Sequence, residues 1–164
     1  MNVSDGTPRV VVGVDGSASS YAALRWAVRH AERTGAVLEV LGVYDVPGAT
    51  GWSAPPVDAA FDEQQAREAL AEELRAVLTT GDGMPPLEQH VVRGNPAEVL
   101  IEASAGAELL VVGSRGRGGF ASLLLGSVSQ QCAVHASCPV VIVREDAPGT
   151  TARSARTAPA EVNP

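Results

Sequence analysis

ELLVVGSRGRGGFASLLLGSVS occupies residues 108–129. Glu108–Gly113 opens this stretch with a short apolar run, the mark of a strand buried on both faces. Gly113-Ser114-Arg115-Gly116-Arg117-Gly118-Gly119 breaks the run at once. A second group, Gly126-Ser127-Val128-Ser129, then opens a segment, Ser127–Ala136, that reads as a helix. Strand, glycine-rich turn and helix in this order predict an α/β fold with a ligand-facing loop after the strand.

The flanking sequence repeats the alternation. Arg9–Val14 (RVVVGV) reads as a first buried strand, broken by Asp15-Gly16-Ser17. Ser17 or Ser19 can cap the following helix. That helix carries Ala23, Trp26, Ala27, His30 and Ala31 at helical spacing to Thr34, and Gly35 stops it. Val37–Tyr44 is the second strand. Asp58–Thr80 is a helix with Phe61, Ala69, Leu70, Leu74, Val77 and Leu78 on one face, ended by Gly81. Glu68, Glu72 and Glu73 read as its solvated face. Leu87–Val92 is a short third strand. Asn95-Pro96-Ala97-Glu98 combines a cap, a first-turn proline and a glutamate able to reach back, and its helix runs to about Ala105 before Gly106. Pro139–Arg144 (PVVIVR) is the fifth strand. Strands alternating with helices in this way predict a doubly wound five-stranded parallel sheet with helices on both faces.

Residues 1–8 are polar and read as a flexible lead-in, and residues 9–144 as one domain. Residues 145–164 lack apolar periodicity and are expected to be a disordered tail. The loop over 45–57, rich in Pro and Gly, is long against a median of about 4–6 residues. It reads either as a lid or as a surface connection.

The chain has 164 residues, 45% of them hydrophobic and 4% aromatic, so its core is built from Val, Leu, Ile and Ala. A formal charge of −7 argues against nucleic acid or an anionic membrane as partner, since both need a basic face. No lysine occurs, which removes Schiff-base chemistry and the lysine-dependent phosphate loop. Cys132 and Cys138 have no metal-site spacing and read as small core or near-core residues. The opening residues have no apolar stretch, and no run approaches the roughly 20 residues of a membrane span. The cytoplasm is the expected compartment.

Glycine lacks Cβ, so it reaches left-handed angles and lets the backbone approach a ligand closely. Successive amides then form a concave anion site, and a helix N-terminus adds about half a positive charge toward the same point. The hydroxyls of Ser127 and Ser129 are candidate neutral donors. Two glycine groups flanking one segment can hold opposite ends of a polyphosphate. Arg115 and Arg117 read either as phosphate partners or as solvated loop residues. Gly13-Val14-Asp15-Gly16-Ser17, at the end of the first strand, does not have the dinucleotide spacing. His30, His90 and His135 do not converge with Cys or acidic partners.

Gly113, Gly116, Gly126 and Ser127 match the G-x2-G-x9-G-[ST] pattern of the universal stress proteins that bind ATP. VVVGVDGS, LGVYDV, VVRGNPAEVLIEAS and SVSQQCAVHASCPVVIVR also resemble segments of that family, over roughly residues 9–144. The resemblance implies strand order 3-2-1-4-5 and a nucleotide site. Gly13 and Asp15 would border the adenine and ribose, and Val43 would contact adenine. Val112 and Gly113 would lie by the ribose. Gly116, Arg117, Gly126, Ser127, Val128 and Ser129 would surround the phosphates. Mg²⁺ would come with the ATP.

Two functions share that site. One is a stress-response regulator whose ATP occupancy alters a dimer or the surface offered to an unidentified regulatory protein. The other is a slow ATPase, which needs a base or water-positioning group near the terminal phosphate. Only Asp15 and the loop arginines are candidates for that role, so binding ranks above catalysis. With order 3-2-1-4-5 the fifth strand is an edge, and pairing of Val140–Val143 with the same strand of a second copy is the expected way to cover it.

Overall fold

The computed structural model describes residues 6–44, 59–78, 84–116 and 124–145. Residues 1–5, the 45–57 loop, Gly81, Arg117, Gly118, Gly119 and the tail from 146 onward lie outside the described residues. The elements follow in the order β1 (Arg9–Val14), α1 (Ala18–Thr34), β2 (Val37–Tyr44), α2 (Ala59–Leu78), β3 (Leu87–Arg93), α3 (Pro96–Ala103), β4 (Leu109–Gly113), α4 (Ser127–His135) and β5 (Val140–Val143). The five strands form one sheet in the order β3-β2-β1-β4-β5, with every pairing parallel.

β1 is central, and its continuous Val run is explained by burial on both faces. Val10, Val12 and Val14 pack with Leu24, Val28, Leu38, Leu70 and Leu74 under α1 and α2. Val11 packs with Leu41, Leu100, Leu110 and Cys132 under α3 and α4. Full burial of each such side chain contributes about 1.5–3 kcal/mol. Cys132 and Cys138 are free thiols, and burial pushes the Cys132 thiol up to about 11. A thiol so far from ionisation is a core residue rather than a nucleophile.

Local signals set the ends of the helices. Ser17 caps α1 by accepting from the Ser20 amide at 3.2 Å, and Gly35 closes it at φ 70°, a left-handed angle. The Asn95 carboxamide oxygen accepts from the amides of Ala97 and Glu98 at 3.0 and 3.2 Å, starting α3. α3 ends at Ala103 rather than near Ala105. The buried Ser104 turns the chain there, its hydroxyl donating to the Ile101 carbonyl at 2.6 Å and accepting the Ser137 amide at 2.8 Å. α2 departs from its expected polarity at one position. Glu73 is only 6% exposed, while Glu72 and Glu68 are exposed as expected. Glu73 lies three residues after Leu70 and four before Val77, which places it on the apolar stripe.

At the amino end of β1, the Arg9 guanidinium pairs with the Glu39 carboxylate. Its Nη2 also donates to the carbonyls of Ala103 and Ala105 at 3.0 and 2.9 Å, closing the C-terminal end of α3. A cation there complements the helix dipole and satisfies carbonyls that the helix leaves open. Arg9→Met keeps the alkyl packing and removes these bonds, so it lowers stability by about 1–3 kcal/mol. Urea denaturation measures this; an unchanged midpoint would show that the clamp contributes nothing.

Candidate functional site

The carboxyl ends of the strands hold the candidate site. The β1–β4 register runs from Val10↔Leu109 to Val12↔Val111. Gly13, Val14 and Asp15 on one side and Val112 and Gly113 on the other continue beyond it. β1 turns toward β2 on one side and meets β4 on the other, so a crevice opens where the strand order reverses. A cleft open to solvent, with about 530 Å³ of empty space in and above it, lies there. Leu41, Val43, Leu100, Val112 and Val128 form its apolar wall, and Asp15, Ser20, Arg115 and Ser129 bring polar groups to it.

Of the residues expected at the site, Gly13, Asp15, Val43, Val112, Gly113, Gly116, Val128 and Ser129 all line this cavity. Gly126 adjoins it, because a Cβ added there would stand 3.4 Å from the Cα of Arg115 and 3.5 Å from the Gly116 nitrogen. Ser127 follows as the first residue of α4. Arg117 lies outside the described residues.

Several side chains have local partners that the sequence did not reveal. Asp15 Oδ1 accepts the Ser17 amide at 2.9 Å, holding the turn after β1, while Oδ2 faces Gly116. The Ser129 hydroxyl donates to the Gly113 carbonyl at 2.6 Å. Ser17 Oγ donates to the Arg115 carbonyl at 3.2 Å, Ser19 Oγ donates to the same carbonyl, and Ser19 Oγ accepts the Arg115 amide at 3.3 Å. The first turn of α1 therefore holds the glycine loop. Sequence reasoning treated Ser19 as a possible cap and passed over Ser20. The available signal was a run of serines at the start of an otherwise apolar helix, two of which, Ser19 and Ser20, prove buried.

The glycines serve close approach rather than left-handed geometry. Among the described residues the positive-φ glycines are Gly6, Gly16, Gly35, Gly94 and Gly106; Gly113, Gly116 and Gly126 are not among them. A Cβ on Gly113 would stand 2.6 Å from Ser19 Oγ, 2.7 Å from the Ser19 carbonyl carbon and 2.8 Å from the Ser20 nitrogen. A Cβ on Gly13 would meet Leu100 at 2.8 Å, so this glycine makes room for a side chain of the cavity wall.

α4 starts differently from α1 and α3. Its cap is Gly126, with no side-chain cap bond. The Gly126 amide donates to the Ser114 carbonyl at 2.7 Å, and its carbonyl accepts the Gln130 amide at 3.0 Å. The amides of Ser127, Val128 and Ser129 form the first turn, where a helix supplies no internal acceptors. They and the dipole behind them favour an anion at this end of the cavity.

Gly113→Ala forces backbone apart at α1 and lowers stability by about 1–3 kcal/mol. Gly126→Ala meets only ordinary contacts and costs less than about 1 kcal/mol. Thermal melts of the two variants compare them directly. Equal melting temperatures would refute the assigned role of Gly113.

No helix among the described residues is long and apolar enough to cross a membrane. The profile of the Universal stress protein family matches residues 6–144. A universal stress protein of Mycolicibacterium smegmatis is 40% identical over 139 residues, covering 82% of this chain and 45% of that protein. The chain thus spans about half the length of this relative. The structure of universal stress protein UspA from Lactobacillus plantarum superposes with a TM-score of 0.69 at 26% identity, over 84% of this chain and 97% of that one. A universal stress protein crystallised in complex with cAMP is 32% identical, with a TM-score of 0.60 over 84% of this chain and 97% of that chain. With the family profile covering every strand and helix of the sheet, the chain belongs to the universal stress protein family.

Proposed function

We propose that the cavity at the carboxyl ends of β1, β2 and β4 binds an adenine nucleotide, ATP with Mg²⁺, and that its occupancy regulates assembly. The observation that carries this reading is the side-chain-free start of α4 facing the Gly113–Gly116 loop, at one end of an apolar-walled cleft. The phosphates lie against the amides of Ser127 and Val128, with Gly116 and Gly126 leaving room for them. The ribose passes Asp15, and the base rests on Leu41 and Val43. The cAMP complex of the 32% identical relative supports an adenine nucleotide in this fold. Mg²⁺ enters with the triphosphate, held mainly by phosphate oxygens and water.

A route from occupancy to assembly runs through Ser114. Its amide donates to the Val143 carbonyl at 2.8 Å, and its carbonyl accepts the Gly126 amide at 2.7 Å. One residue thus joins the start of α4 to the end of β5. β5 pairs with β4 on one side and is the last strand of the sheet. The Leu110 amide donates to Pro139 and the Ser114 amide to Val143, so alternate residues of β5 face β4. Val140 and Ile142 then turn their backbone groups outward, toward a second copy of the chain.

Gly126→Val puts a branched side chain where the phosphates approach and weakens ATP binding by more than about tenfold, with the fold retained. Calorimetry tests this, and parent-like affinity in the variant would remove the site. For assembly, the parent sediments as a dimer at tens of micromolar, and Ile142→Pro or Val140→Pro shifts it to monomer by removing an outward donor. A monomeric parent at that concentration ends the edge-strand reading.

A further inference from the structure

The chain leaves β4 between α1, on one face of the sheet, and α4, on the other. In a trans peptide the N–H and the C=O point in opposite directions, so a bond that fixes one group aims the other. The Ser114–Arg115 peptide follows this geometry. Its N–H, that of Arg115, reaches α1, where Ser19 Oγ accepts it at 3.3 Å. Its carbonyl, that of Ser114, points the other way and accepts the Gly126 amide, at the start of α4, at 2.7 Å.

The Arg115–Gly116 peptide is turned over. Its carbonyl, that of Arg115, faces α1 and accepts from Ser19 Oγ and, at 3.2 Å, from Ser17 Oγ. Its N–H, that of Gly116, is thereby aimed away from α1 and toward the start of α4. The Gly116 nitrogen stands 3.5 Å from the point where a Cβ on Gly126 would lie. A side chain at position 126 would cover this amide; glycine leaves it open to the cleft that Gly116 lines. Among the described residues no acceptor meets it. The amides of Gly116, Ser127 and Val128 therefore face the same end of the cleft, an arrangement that favours an anion. Ser19 is only 4% exposed and lies behind the loop, so it acts through the peptide and not on a ligand.

We propose that Ser19, seconded by Ser17, is a positioning residue of the phosphate site: by holding the Arg115 carbonyl it aims the Gly116 N–H at the anion. This rests on the nucleotide-binding reading above and adds what sets the direction of the loop amide. Without the two hydroxyls the peptide is free to turn over, because glycine at 116 permits either orientation.

The test removes the hydroxyls and keeps the helix, since alanine suits a helical position and glycine replaces a serine cap at little cost. Calorimetry on the full chain follows ATP, and NMR titration of the isotope-labelled chain follows ATP and adenosine. Ser19→Ala weakens ATP binding by about threefold or more, and the double change Ser17→Gly, Ser19→Ala by about tenfold or more. Adenosine, which has no phosphate, binds the parent and both variants alike. ATP, but not adenosine, moves the Gly116 amide proton of the parent downfield, and this shift shrinks in the double variant. Parent-like ATP affinity in the double variant, or a Gly116 amide proton that ATP leaves in place, overturns the role of Ser19. Equal losses for ATP and adenosine overturn it too, because they report a general loosening of the cleft. A parent that binds no adenine nucleotide overturns the nucleotide reading as well.

Discussion

The end of β4 and the first turn of α1 approach so closely that no side chain fits between them. Gly113 lies against the backbone of Ser19 and Ser20, and the Ser19 hydroxyl engages both the amide and the carbonyl of Arg115. This contact sets the path of the chain out of β4. From it follow the position of Gly116 beside Asp15, the bond from the Gly126 amide to Ser114, and the direction of α4. The cavity is the space left between elements pinned together at this point. Its shape is therefore set by packing within the chain itself.

The two ends of the sheet are built differently. At the amino end, Arg9 joins β1, β2 and the last turn of α3 through charge-assisted bonds. At the carboxyl end, the strands separate, glycines replace side chains, and small hydroxyls hold the loops. One end resists separation of its layers, and the other leaves backbone amides available. Such division between a fixed base and a permissive rim is what lets an α/β sheet carry sites without loosening its core.

Most of the fold was legible in the sequence because buried parallel strands leave an unambiguous trace. VVVGV and LLVVG have no polar alternation, and Gly35, Asn95 and Pro96 mark helix ends by known local chemistry. The spacing of Gly113, Gly116, Gly126 and Ser127 pointed to the loop after β4, and Gly113 and Gly116 line the cleft there. What those glycines do was not legible, because a missing Cβ can serve a ligand, a turn or a packing contact. Only the atoms beside Gly113 identify it as a packing glycine. Pairing partners were equally hidden: the Ser129 hydroxyl bonds a carbonyl 16 residues away in sequence. Glu73 was misread because charge suggested solvent while its helical position pointed to the core.

The glycine cap of α4 has a consequence for how this protein can change. Asparagine, serine or aspartate at position 126 would cap the helix, as Asn95 and Ser17 do for α3 and α1, and would be expected to make the domain more robust. The same substitution would occupy the amides that α4 now leaves open, and aspartate would add a negative charge there. Selection for durability alone and selection for a ligand therefore pull this position in opposite directions. A variant that gains thermal tolerance through a side-chain cap at residue 126 does so by taking up amides that could otherwise meet an anion.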